Sequence, residues 1–121
     1  MQWGWVMVCV TAAGLAAAGC GPRAADGGFE SDNPAARLYA IEQAGETRDR
    51  TAIPQLVAQL DSDDATIRLW SIHALERITG ERLGYNPYVD AASRRPAVEA
   101  WEQAVKDQRF ARPDAGATAA P

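Results

Sequence analysis

Between Asn33 and Phe110 the apolar side chains recur at intervals of three and four, a spacing that predicts helices throughout. Leu38, Ile41 and Ala44 or Gly45 make one face of a first helix. Asp32 or Asn33 is placed to cap it, and Pro34 falls at the first helical position, where a missing N–H costs nothing. The pattern ends around Gly45, and the polar run GETRDR forms a connection. Ile53, Leu56, Val57 and Leu60 share a face of a second helix over roughly Arg50 to Leu60, with Thr51 or Asp49 as its cap and Pro54 in or near its first turn. The run Asp61-Ser62-Asp63-Asp64 then offers several N-caps, with carboxylates at the positive end of a third helix. That helix covers Ala65 to Thr79 and stops at Gly80. Ile67, Ser71, Ala74, Leu75 and Ile78 lie within about 100° of arc on it. Trp70 and Ile72 flank that arc on opposite sides, and His73 points nearly opposite its centre. Apolar residues in front and on both flanks demand neighbours on both sides, as stacking in a layered array provides. After the loop ERLGYNPYVD, Ala97, Val98, Trp101, Ala104 and Val105 face one way on a last helix that starts near Asp90 or Ser93 and runs to about Gln108. Pro96 is tolerable only in a first turn, which favours the start near Ser93. No segment reads as a strand, so the fold class is all-α, with four helices.

The two ends of the chain read differently. Residues 3–19 are apolar but rich in alanine and glycine, short and weakly hydrophobic against the roughly 20 residues a spanning helix needs. The run stops at Ala17-Ala18-Gly19-Cys20 and is followed by GPRAADGG. The arrangement resembles a bacterial lipoprotein signal peptide with its lipobox, although no Lys or Arg precedes the apolar run. The resemblance implies removal of residues 1–19, a diacylglycerol on the Cys20 thiol and an acylated amino terminus. One acyl chain holds a protein to a membrane only marginally, whereas several make the anchor permanent. The alternatives are ordinary cleaved secretion, and an uncleaved anchor or a misassigned start. Gly21, rather than Asp, follows the cysteine, which leans toward the outer membrane, facing the periplasm. Cys9 lies in the leader, so Cys20 would be the single cysteine of the mature chain, and no internal disulfide is expected. Residues 20–32 read as a flexible tether, and residues 111–121, ARPDAGATAAP, as a disordered tail. The helical domain is expected over residues 33–110, small enough that its stability depends on good packing.

The formal net charge is -4. Removing residues 1–19 takes away no charged side chain. An acidic balance argues against nucleic acid as a partner, which would call for a dense basic face.

The second and third helices, Asp49 to Gly80, resemble a HEAT-like repeat of the short bacterial type, also called the phycobilisome-lyase HEAT-like repeat. The matching residues are Ala52-Ile53-Pro54, Leu56, Val57 and Leu60, then Asp61 and Asp63 or Asp64, then Ile67-Arg68, Ala74-Leu75 and Ile78. Trp70 and Ile72 depart from the pattern, standing where small residues are usual. Bulk there is expected to push adjacent helices apart or to plug a gap at an array end. The first helix looks like the second half of a degenerate preceding repeat, and the last like a terminal cap. The resemblance implies a short HEAT-like α–α superhelix fragment and a lean toward protein binding, with no common chemistry.

Few residues suggest chemistry. Arg68, just past the aspartates, is expected to bridge their carboxylates or nearby loop carbonyls. Asp61, Asp63 and Asp64 lack the glycine and glutamate spacing of a calcium loop and read as a capping turn. His73 is the only histidine. It has no partners for a zinc site and no nucleophile beside it. No catalytic residue, metal ligand or cofactor is therefore assigned. Tyr85 and Tyr88, held by Gly84 and Asn86-Pro87, either fold back over Leu83, Val89 and Trp101 or meet a partner. Trp101, central in its stripe, is expected in the core. The candidate contacts to a protein partner of unread identity are Tyr85, Tyr88, Trp70, Ile72 and His73. The reading is a non-catalytic binding or scaffold module, tethered to the membrane through lipid at Cys20. A structural or chaperone-like subunit of an envelope assembly is the alternative, and a small enzyme with an unrecognised pocket a weaker one.

Overall fold

Short polar side chains set where the helices begin. In the computed structural model, which describes residues 28–111, the Asn33 Oδ1 accepts the Ala35 N–H at 3.0 Å and opens α1, Pro34–Glu46. Asp49 does the same for Thr51 at 2.9 Å, starting a single 3-10 turn, Arg50–Ala52, that runs into α2, Ile53–Gln59. Asp64 accepts the Thr66 N–H at 2.8 Å ahead of α3, Ala65–Thr79. Each cap satisfies an N–H that has no partner within its helix. Gly80, at φ 79°, ends α3 in the left-handed conformation that glycine adopts freely.

The last helix, α4, spans Ala91–Lys106 with Asp90 at its N-cap. The Ser93 side chain beside Asp90 holds its carboxyl below the usual carboxylate range. The helix therefore begins ahead of Ser93, and Pro96 lies inside it rather than in its first turn. The proline ring leaves the Ala92 carbonyl without its helical donor. Ala92 is exposed, where water reaches that carbonyl, and burial of Val98, Trp101 and Ala104 holds the helix on the core regardless.

Among the described residues there are four α-helices and no strand. They form two layers: α1 packs on α3, α2 on α3, and α4 on α2. Between the layers lie Ile41, Leu56, Leu60, Ile67, Ile72, Leu75 and Trp101, all fully buried. The Trp101 Nε1–H is not stranded there, since it donates to the Arg82 carbonyl at 2.9 Å. Phe110 closes over its ring at 5.4 Å between centroids.

The domain reaches further back than Asn33. Gly28–Glu30 forms a 3-10 turn, Phe29 packs against the core, and its carbonyl accepts from Gln59 Nε2 at 3.2 Å. An aromatic ring with apolar surface to cover is drawn onto the core, so the end of the expected tether is structured. The expected signal peptide over residues 1–19, the Cys20 site, residues 20–27 of the tether and residues 112–121 of the tail lie outside the described residues. No helix among the described residues is long and apolar enough to cross a membrane.

Candidate functional site

Small residues let two helices of one layer meet closely. A Cβ at position 45 would lie 3.1 Å from both Cα and Cβ of Ala74, a tight contact, so glycine lets α1 come close to α3 at this height. Beside that contact a groove of about 260 Å³ opens on the outer surface. Its α1 wall carries Ile41, Glu42 and Gly45, and its α3 wall carries Leu69, Trp70, His73, Ala74 and Arg77. The α3 residues fall on one helical stripe because they recur at intervals of three and four. Trp70 is 42% exposed, an uncommon position for the largest apolar side chain. Glu42, His73 and Arg77 stand exposed around it.

The structure separates the five residues that sequence reading marked as contacts. Trp70 and His73 come together in this groove. Tyr88 is 78% exposed, on the loop after α3. Ile72 and Tyr85 are buried, so neither offers a surface to a partner. Ile72 lies on the flank of α3 opposite Trp70 and is fully buried. One turn earlier on α3, the Arg68 Nε donates to the Pro87 carbonyl at 3.2 Å. The bulk of Ile72 is taken up in the core, while Trp70 stands at the groove rim rather than wedging α1 from α3. Tyr85 turns inward because its hydroxyl has a task there: it donates at 2.6 Å to the Leu60 carbonyl, at the end of α2. Burial pushes this hydroxyl's pKa up, against the lowering pull of Arg94 and then Arg68.

Two buried arginines hold the loop. Arg68 Nη1 donates to the Ser62 and Asp63 carbonyls at 2.7 and 3.0 Å, joining the turn before α3 to the loop after it. It bridges carbonyls rather than the carboxylates beside it. Arg94 Nη1 donates to the Val89 carbonyl at 2.6 Å. Asp64 is a helix cap, as its position before α3 suggests. Among the described residues no group of three or more His, Cys, Asp or Glu side chains is arranged to hold a metal ion.

Sequence reading marked none of Glu42, Gly45, Arg77 and Arg94 as functional. The face patterns of α1 and α3 do not say which helix meets which, so no local signal could have found the groove. Arg94 gives no sign in the sequence that its carbonyl partner lies five residues back in a loop.

No curated protein and no solved structure matches the chain. A family model described as HEAT repeats matches residues 27–106, well over half the chain and nearly all of the two-layered helical domain. The match begins beside the Phe29 turn and ends with α4, and the pairing of α1 with α3 and of α2 with α4 is the layering that stacked helical repeats produce. On these grounds the chain belongs to the HEAT-repeat family.

Proposed function

We propose that this chain is a non-catalytic protein-binding module, held by lipid at Cys20 in the bacterial cell envelope, with its HEAT repeat of the short phycobilisome-lyase-like type. HEAT repeats commonly mediate protein–protein interaction, and a binding role follows from the family. The observation that carries the reading is the α1–α3 groove, an apolar hollow with a half-exposed tryptophan at its rim. Large aromatic side chains in such settings are where interface energy concentrates. The anchor rests on Ala17-Ala18-Gly19-Cys20 at the end of an apolar run, and Gly21 after the cysteine favours the outer membrane.

Two measurements test this. Intact mass of protein taken from membranes should show loss of residues 1–19 and a gain from acyl groups. An unmodified chain with another start refutes the anchor. Crosslinking in intact cells should capture a partner in a manner that depends on Trp70. Trp70→Ala should lower capture tenfold or more while the thermal midpoint stays within a few degrees, because the side chain is half-exposed. Capture that is unchanged removes the groove from the function.

A further inference from the structure

We infer that the α1–α3 groove recognises a basic side chain, an arginine on a protein partner, held between the Trp70 ring and the Glu42 carboxylate. The inference rests on the binding-module reading above and names the chemistry of the partner.

Helix direction places the two groups. Arg37, near the start of α1, and Asp64, the N-cap of α3, line one polar hollow, and late in both helices Gly45 meets Ala74. The two helices therefore run parallel. Glu42 precedes Gly45 by about 4.5 Å along its axis, and Trp70 precedes Ala74 by about 6 Å. They stand at nearly the same level on the two walls of the groove. Arg77 belongs to the level beyond, where its stem reaches Gly45 and exposed Glu46 follows. Glu42 is exposed and forms no ion pair among the described residues, where the pairs are Arg82–Glu76, Arg95–Asp61, Arg95–Glu99 and Arg109–Glu81.

At one height the groove thus offers apolar surface from Ile41 and Leu69, an aromatic ring and an unpaired carboxylate. A basic side chain carries the complement, an apolar stem with a cationic head. Its cation is attracted by the ring and makes a charge-assisted hydrogen bond to the carboxylate. Arginine suits both at once, since its planar guanidinium stacks on a ring and meets a carboxylate with two parallel donors. Other side chains fit less well. An apolar one would cover the Glu42 carboxylate and leave it without a partner, which costs free energy, and an acidic one would be repelled. The formal charge of -4 also draws a basic partner from a distance.

The test titrates the full-length chain, extracted in detergent, with the end-blocked tripeptide Ala-Arg-Ala and with analogues carrying citrulline or norleucine in place of the arginine. Citrulline keeps the shape of arginine without its charge. Binding is read by NMR on the Trp70 indole N–H, assigned as the signal that Trp70→Phe removes. The arginine peptide should shift it saturably, and both analogues should bind about fivefold more weakly, having lost the cation. Glu42→Gln should weaken the arginine peptide about threefold. Glu102→Gln removes the same charge from α4, in the other layer, and should leave binding unchanged. The peptide comparison is made on wild type and does not depend on how a variant folds. Equal binding of the three peptides, an equal loss in the two variants, or no shift of the Trp70 signal overturns the inference. In any of those cases, capture in cells that still depends on Trp70 leaves the binding-module reading standing with a partner of other chemistry. Capture that does not depend on Trp70 removes both.

Discussion

Tyr85 and Tyr88 show how much a single residue's fate depends on its hydroxyl. Three positions apart, one is 3% exposed and the other 78%. The Tyr85 hydroxyl finds the Leu60 carbonyl, an acceptor left over at a helix end, and the ring follows it into the core. Tyr85→Phe keeps the ring and leaves that carbonyl unpaired, at an expected cost of about 1–2 kcal/mol at neutral pH in a urea titration. The pH dependence is a sharper test. Burial raises the pKa of this hydroxyl, so the folded state holds its proton more tightly than the unfolded chain does. Its contribution is complete below the unfolded value, about pH 10, and is lost as pH rises through the folded value. The wild-type urea midpoint should fall above about pH 10 more steeply than that of Tyr85→Phe. Parallel curves would show that Tyr85 does not titrate differently on folding.

Element ends carry a second kind of strain. After α1, Arg48 sits at φ 51°, with its N–H on the Gly45 carbonyl and the Asp49 N–H on the Ala44 carbonyl. After α4, Gln108 sits at φ 53° with the same two bonds, to Val105 and from Arg109 to Ala104. Both are helix stops of the kind that glycine normally fills. Arg48→Gly and Gln108→Gly should each raise stability by about 0.5–1 kcal/mol, since the left-handed conformation costs an L residue roughly 1–2 kcal/mol and glycine's greater unfolded entropy takes back part of that. A lower denaturation midpoint in both would mean that the side chains contribute more than the strain removes. Gly45 is the opposite case. Alanine there would gain helix propensity of about 1 kcal/mol but would press on the backbone of Ala74, which has no flexible end to move aside. Overpacking of about 1–3 kcal/mol should win, so Gly45→Ala should lower the thermal midpoint. Gly45→Ala combined with Ala74→Gly should recover part of the loss. A midpoint raised by the single substitution would show that the two helices separate easily.

At the scale of the molecule, the described residues place two helices in each layer, and segments outside those helices cover edges of this short stack. The loop after α3, clamped by Arg68 and Arg94, covers one side. Phe29 and Phe110 cover other edges of the core. A chain cut to begin at Asn33 should therefore unfold at a lower temperature than one cut to begin at Gly28, by several degrees if the ring contributes about 1–2 kcal/mol. Phe29→Ala in the longer chain should reproduce most of that difference. Equal midpoints for both truncations would return residues 28–32 to the tether.

Period and caps are local properties, decided within about four residues, and they were legible in the sequence. The bounds of α3 and the stop at Gly80 follow from them, and so does burial of Leu75 and Trp101 on their stripes; each cap was narrowed to a few neighbouring residues, among which the structure selects Asn33, Asp49 and Asp64. The start of α4 was not, because the proline rule acts locally while burial of Val98 and Trp101 acts across the core and prevails. Nor could the pattern tell the two flanks of α3 apart. Ile72 and Trp70 stand symmetrically about its apolar face, and an angle on a helix says nothing about what lies beyond it. Only the tertiary structure decided that Ile72 is fully buried, that Arg68 pins the loop at Pro87, and that α1 meets Ala74 at Gly45 and leaves Trp70 at the rim of a groove. These contacts join residues 19 and 29 positions apart, where packing rather than periodicity chooses the neighbour.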